Sequence, residues 1–187
     1  MKKLRYVLVL AGLAVLVTAS AAVAHQVVTI KGTHGNDTLT GTPGADRIAA
    51  LAGDDSVSAG DGNDRIWSGR GNDTSDGGGG NDRVWGGPGN DSVNGGDGND
   101  VLRGRPGDDT INGGAGNDVT WAGRGADVTN GGDGDDRIHV LARDRQIDTV
   151  DCGPGNDTVW LNAKETDAHV NCEVVKTVTV ARNGGDD

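Results

Sequence analysis

Phenylalanine is absent from these 187 residues, the only Tyr is Tyr6, the only Met is Met1, and aromatic residues of all kinds make up 3%. Large apolar side chains are the usual filling of a protein interior, so a conventional globule has little material here. Glu is nearly missing as well: of 28 acidic residues only Glu165 and Glu173 are Glu, and all others are Asp. A good helix former has thus been replaced by a residue that favours turns. Beyond residues 7–17 there is no continuous apolar run, and that one is short for the ~20 residues a bilayer span requires. Two Cys and four scattered His leave no zinc cluster. His-Glu-x-x-His and Gly-x-Ser-x-Gly do not occur, which removes the metalloprotease and lipase signatures. The formal net charge of −11 opposes nucleic-acid binding.

Lys2, Lys3 and Arg5 precede the short apolar run, and Ala22-Val23-Ala24 comes after it. That is the layout of a secretory signal peptide over residues 1–24, so the mature chain is expected to begin at His25 and to be extracellular. Removing the three cations would take the net charge to about −14. Only seven residues then separate His25 from Gly32, where a regular pattern starts, which leaves no room for a catalytic domain ahead of it. The chain is read as no enzyme.

What is abundant is Gly, at 34 residues, and Asp. Chains of this composition are normally disordered unless something other than apolar burial folds them. From Gly32 to His139 the sequence divides into twelve consecutive units of nine, without insertion. The fourth position is Gly in all twelve, and the sixth is Asp in all twelve. The fifth is Asn in seven and Asp in three, and the eighth is aliphatic in nine, the exceptions being Ser75, Thr120 and Thr129. Each unit reads as a six-residue turn and a three-residue strand, with the eighth position pointing inward and the seventh and ninth outward. A second period of 18 lies over the first. Arg47, Arg65, Arg83 and Arg137 hold the seventh position of even units, whereas Asn94, Asn112 and Asn130 hold the ninth of odd ones. Two units per turn make a parallel β-roll, an all-β solenoid with two sheets. Twelve units would give about six turns, each rising ~4.8 Å.

The pattern Gly-Gly-x-Gly-x-Asp-x-aliphatic-x, complete in Gly95 to Asp100 and in Gly113 to Asp118, resembles the RTX or hemolysin-type calcium-binding repeat. The resemblance implies Ca²⁺ held between stacked loops by sixth-position Asp residues and backbone carbonyls, in roughly ten sites at most. The implied ligands are Asp37, Asp46, Asp55, Asp64, Asp73, Asp82, Asp91, Asp100, Asp109, Asp118, Asp127 and Asp136, with Asp64–Asp82 and Asp82–Asp100 as successive pairs. Physical chemistry agrees: stacked Asp columns repel, and a hard cation with six to eight oxygen ligands relieves them. An EF-hand would need Glu, and the repeats contain none. Calcium is therefore expected to fold the chain as well as bind it. An N-terminal leader points away from the family's toxins, which leave the cell by a C-terminal signal, and towards general secretion.

After His139 the register slips by three, and residues 140–187 read as degenerate repeats and a cap beyond the roll of residues 25–139. Arg143 to Asp151 is a unit without Gly, and Cys152 to Trp160 is a thirteenth good match that adds Asp157 to the ligands. Cys152 and Cys172 are expected to form a disulfide, as the only two thiols of an exported protein. An atypical closing unit is expected to hide the last open edge. On the outer face of the even sheet, Arg65, Trp67, Arg83, Trp85, Arg103 and Trp121 form an array. That array is read either as a stabilising ladder or as a binding face for glycan or another cell-surface polymer. Thr120 and Thr129, replacing aliphatics in adjacent units, mark the expected weak layer of the roll.

Overall fold

The structure is a computed structural model that describes residues 7–8 and 27–180. The expected leader lies outside the described residues except for β1 (Val7–Leu8), a two-residue strand beside β2. The remaining strands alternate between two sheets. One contains β2 (Val28–Lys31), β4 (Asp46–Ala52), β6 (Arg65–Arg70), β8 (Arg83–Trp85), β10 (Val101–Pro106), β12 (Val119–Arg124), β14 (Arg137–Val140), β16 (Thr158–Asn162) and β18 (Val174–Val178). The other contains β3 (Thr38–Thr40), β5 (Ser56–Asp61), β7 (Thr74–Gly79), β9 (Ser92–Asp97), β11 (Thr110–Ala115), β13 (Val128–Asp133), β15 (Thr149–Asp151) and β17 (Ala168–Val170). Neighbours pair in parallel with an offset of 18, as in Ile48 beside Ile66 and Val93 beside Ile111. The molecule is a parallel β-roll with two strands per turn, as the double period requires.

The roll is longer than the perfect repeats alone suggest, at about eight turns. The three-residue slip does not end it. Arg137 pairs with Thr158 and Val128 with Thr149, so the offset becomes 21 and the extra residues are taken up in the 141–147 loop. Nine strands are also at least twice the expected length, most of them running from the seventh position of one unit through the third of the next, as in β5, β9 and β11. The glycines at positions one and two do not loosen the chain into a turn there. Their N–H groups keep bonding to the next turn, as Gly86 N–H does to the Arg103 carbonyl at 2.9 Å. The bend is confined to positions three to six, although position two keeps a positive φ within the strand, +95° at Gly78. At Gly80 the bend needs a φ of +117°, and a Cβ would lie 2.6 Å from the Gly62 carbonyl carbon one turn below.

Three positions per unit point inward rather than one. The eighth supplies the aliphatics, the first supplies small residues such as Ala50, Ala59, Ser68 and Ala122, and the sixth supplies Asp. Small residues at position one let the two sheets lie close across a narrow interior. Ser75, which interrupts the aliphatic row, bonds Ser68 hydroxyl to hydroxyl at 2.6 Å, so both are satisfied. Thr120 and Thr129 are equally buried, yet their hydroxyls have no hydrogen-bond partner. Here the apolar interior divides: one cluster runs from Ile30 to Ile111, and a second from Ala122 to Leu161. Cys152 is fully buried in the second cluster and is disulfide-bonded to Cys172. Beyond them β17 and β18 extend the sheets and stay exposed along their whole length, so among the described residues nothing covers the last edge. No helix among the described residues is long and apolar enough to cross a membrane.

Candidate metal centre

The sixth position is the last residue of each bend, where the chain turns inward before its strand. Its side chain is therefore buried: Asp37, Asp46, Asp55, Asp64, Asp73, Asp82, Asp91, Asp100, Asp109, Asp118, Asp127, Asp136 and Asp157 are all at most 7% exposed. They stand in two columns, one along each edge of the roll. Within a column each Asp uses one oxygen as a rung. The Asp64 N–H donates to Asp82 Oδ1 at 2.7 Å, the Asp82 N–H to Asp100 Oδ1 at 2.7 Å, and the Asp91 N–H to Asp109 Oδ1 at 2.8 Å.

The second oxygen is left over. In Asp55, Asp64, Asp73, Asp82, Asp91, Asp100, Asp109, Asp118, Asp127, Asp136 and Asp157, Oδ2 is buried and has no hydrogen-bond partner. Buried carboxylate oxygens are normally satisfied, and a whole series left unpaired in phase calls for a positive partner. Where the first position of the unit is Gly, this oxygen faces it, beside a carbonyl of the next turn. A Cβ placed on Gly77 would lie 2.5 Å from Asp82 Oδ2 and 2.5 Å from the Gly95 carbonyl oxygen. The missing side chain leaves that space open to the oxygens. Among the described residues no three His, Cys, Asp or Glu side chains converge as a metal-holding group. A cation at these loops would thus depend on backbone carbonyls for much of its shell, as hard oxygen-seeking ions do. The residues present fit calcium.

The first two loops differ. Asp37 Oδ2 accepts from the Thr33 N–H at 2.6 Å, and Asp46 Oδ2 from the Thr42 N–H at 2.6 Å, with each Thr hydroxyl adding a further bond. Thr at position two closes these loops on themselves, whereas Gly, Leu51 or Arg105 at the same position leaves the loops up to Asp136 open.

Stacking and burial leave the acids reluctant to ionise without a cation. Burial foremost, and next-turn carboxylates after it, push Asp64, Asp91 and Asp118 up to about 7 and Asp109 to about 8, against the pull of the N–H rungs. Asp55, Asp100, Asp127 and Asp136 are raised to about 6, with burial again the main cause.

Three members of the columns escaped the sequence reading. Asp148 accepts from the Asp127 N–H, Asp167 from the Asp148 N–H, and Glu173 Oε2 from the Asp157 N–H. Asp148 was legible, since it holds the sixth position of the glycine-free unit; Asp167 and Glu173 lie past any recognisable repeat. The regular fifth position also proves to have a task. Its side-chain oxygen accepts from the fifth-position N–H of the following turn, Asn81 from Asn99 at 2.7 Å and Asn99 from Asn117 at 2.6 Å. Fifth-position rungs therefore point one way along the roll and sixth-position rungs the other, which holds each loop from both sides.

On the outside of the even sheet the ninth position forms a row of stacked groups. Trp67 and Trp85 lie 5.0 Å apart and within 1° of parallel, Arg103 sits 4.6 Å over Trp121, and His139 is layered between Trp121 and Trp160. Lys176 closes the row 4.7 Å over Trp160. Arg65 and Arg83 are neighbours in the adjacent seventh-position row.

A family model described as the RTX calcium-binding nonapeptide repeat matches residues 29–57, 40–75, 67–102, 76–111, 94–129 and 103–138, more than half of the chain. No curated protein is significantly similar to it.

Proposed function

This chain belongs to the RTX calcium-binding nonapeptide repeat family and binds calcium in a β-roll, and from that premise we propose that it is a secreted structural module which Ca²⁺ folds. The observation that carries this reading is the row of eleven buried, unpartnered Asp Oδ2 atoms, six of which face a first-position Gly beside a next-turn carbonyl. Bound calcium would supply the positive charge that those oxygens lack. The proposed ligands run from Asp55 to Asp136 in the two columns and include Asp157, with Asp64–Asp82 and Asp82–Asp100 acting as pairs. Asp37 and Asp46, bonded to Thr33 and Thr42, form a closed first turn that stands without the ion. In this reading the leader over residues 1–24 is removed, residues 25–139 are the roll proper, residues 140–187 close it, and there is no enzymatic step. Circular dichroism of residues 25–187 with the disulfide intact, titrated with Ca²⁺ and separately with Mg²⁺, tests it. A cooperative gain of strand signal with Ca²⁺ alone is expected. A chain already strand-rich in chelator would remove the Asp columns as the organising force.

A second reading rests on Trp67. Most ring faces in the outer stack are taken by neighbouring rings or cations, which favours the stabilising ladder. Trp67, however, is 40% exposed, and its neighbour in the row is Ala49, too small to cover the indole. That open face, beside Arg47 and Arg65, suits a sugar ring of a cell-surface glycan or polymer. Replacing Trp67 with Thr should abolish retention on cell-wall polymer while Trp121→Thr leaves it intact; equal retention by both variants would eliminate glycan binding at this face.

A further inference from the structure

Where the repeat register slips, the 141–147 loop and the turn after β16 build a concavity of about 430 Å³ lined by Arg143, Arg145, Lys164 and Glu165. Three cations gather here on a chain of net charge −11. Among the described residues none of their side chains has a hydrogen bond, ion pair or ring contact, whereas Arg103 and Lys176 on the outer face lie over rings. The walls are held in place. Asp144 Oδ2 accepts from the Gly125 N–H at 2.7 Å, and its Oδ1 from the Gln146 N–H at 3.0 Å. Buried Asn162 donates to the Ala142 carbonyl at 2.8 Å, and Glu165 Oε1 accepts from the Arg145 N–H at 3.1 Å. Arg145 is held at a φ of +68°, a region that disfavours any residue with a Cβ and is retained only when the surroundings impose it. This loop lacks glycine and keeps Asp148 in the Asp column, and beside it presents guanidinium and ammonium groups around a hollow.

We propose that this concavity is an anion site for a phosphate ester of a small polyol or sugar. Two guanidinium groups offer paired N–H donors that match a phosphate's oxygens, and the Lys164 ammonium adds a point charge. The volume exceeds that of a phosphate alone and leaves room for the esterified group. Glu165 is the one lining group of the wrong sign, and it serves the loop through its bond to the Arg145 N–H rather than the anion.

The test uses the mature, disulfide-bonded, calcium-loaded chain and glucose 6-phosphate, with glucose and sulfate as comparison arms, monitored by amide chemical shifts at fixed free Ca²⁺. Saturable shifts confined to residues 141–147 and 162–166 are expected with glucose 6-phosphate, weaker ones with sulfate, and none with glucose. Equal binding of sulfate would reduce the site to a generic oxyanion pocket and overturn the ester assignment. The double substitution Arg143→Ala and Lys164→Ala should weaken binding at least tenfold. Glu165→Gln, which keeps the acceptor for Arg145, should tighten it several-fold. Opposite signs from two variants of one loop exclude misfolding as the common cause. No saturable shift, or equal affinity in all three proteins, would overturn the proposal.

Discussion

Within a sixth-position Asp the two carboxylate oxygens have separate fates, and the difference sets the pH behaviour of the chain. Oδ1 is committed to an N–H of the neighbouring turn, while Oδ2 is buried without a partner. Without metal, the folded carboxyls of Asp64, Asp91 and Asp118 sit near 7 and that of Asp109 near 8, against 3.8 for a free side chain. The folded state then binds more protons than the unfolded one. This contribution is fully present below the unfolded value and disappears as pH rises through about 6 to 8. Metal-free chain should accordingly show more strand signal by circular dichroism at pH 4 than at pH 8; the reverse order would contradict the buried columns. With calcium present the protons compete with the ion, so the Ca²⁺ midpoint should move to higher concentration between pH 8 and pH 5. A different residue-scale prediction concerns position two, where most units have Gly but Arg105 sits at a φ of +86° and Leu51 at +90°. Arg105 is exposed, so Arg105→Gly removes little packing and relieves the strain. It should stabilise the calcium-loaded roll by about 1 kcal/mol in urea unfolding.

Strands β12 and β13 contain the layer where the interior changes hands. Thr120 and Thr129 place two unpartnered hydroxyls between the apolar clusters, whereas Ser75 in β7 has Ser68 to bond. A buried hydroxyl without a partner costs about 1–3 kcal/mol. Thr120→Val and Thr129→Val should therefore each raise the urea midpoint, while Ser75→Val should lower it by orphaning Ser68. In the parent protein amide exchange within the roll should be fastest over residues 119–130; slower exchange there than in β5 to β9 would remove the layer as a weak point. This element was readable beforehand, because an in-phase polar residue at an inward position cannot escape the interior. The lengths of the strands were not, since glycine at positions one and two reads locally as a bend and stays paired in the sheet only because the next turn is present to accept its hydrogen bonds.

Across the whole molecule each turn touches only its neighbours, so stability is a sum of local interfaces and the ends matter. The disulfide joins residues 20 apart in the closing turns and contributes roughly 3 kcal/mol by restricting the unfolded chain. Cys172→Ser should release the second cluster, Ala122 to Leu161, at a lower urea concentration than the first, giving two steps by hydrogen exchange where the parent has them closer together. Uniform weakening along the roll would show instead that the two clusters unfold as one.

The sequence alone determined the roll, its two-strand turn, the stacked Asp columns, the outer Trp and Arg row and the pairing of Cys152 with Cys172. For all but the pairing of the two thiols, it did so because each is a periodic property: a residue type repeated at 9 or 18 must occupy one place in a solenoid, whatever the details of its neighbours. Tertiary structure decided what periodicity is blind to. Asp148, Asp167 and Glu173 join the columns only because the sheet continues past a three-residue slip that the sequence presents as an ending. Thr33 and Thr42 satisfy Asp37 and Asp46 while the other loops keep an unpartnered oxygen, a distinction made by hydrogen-bond geometry inside residues that obey the same pattern. The cationic hollow of Arg143, Arg145 and Lys164 likewise exists only where two irregular loops stack, since side chains about 20 residues apart share a space that no local spacing encodes.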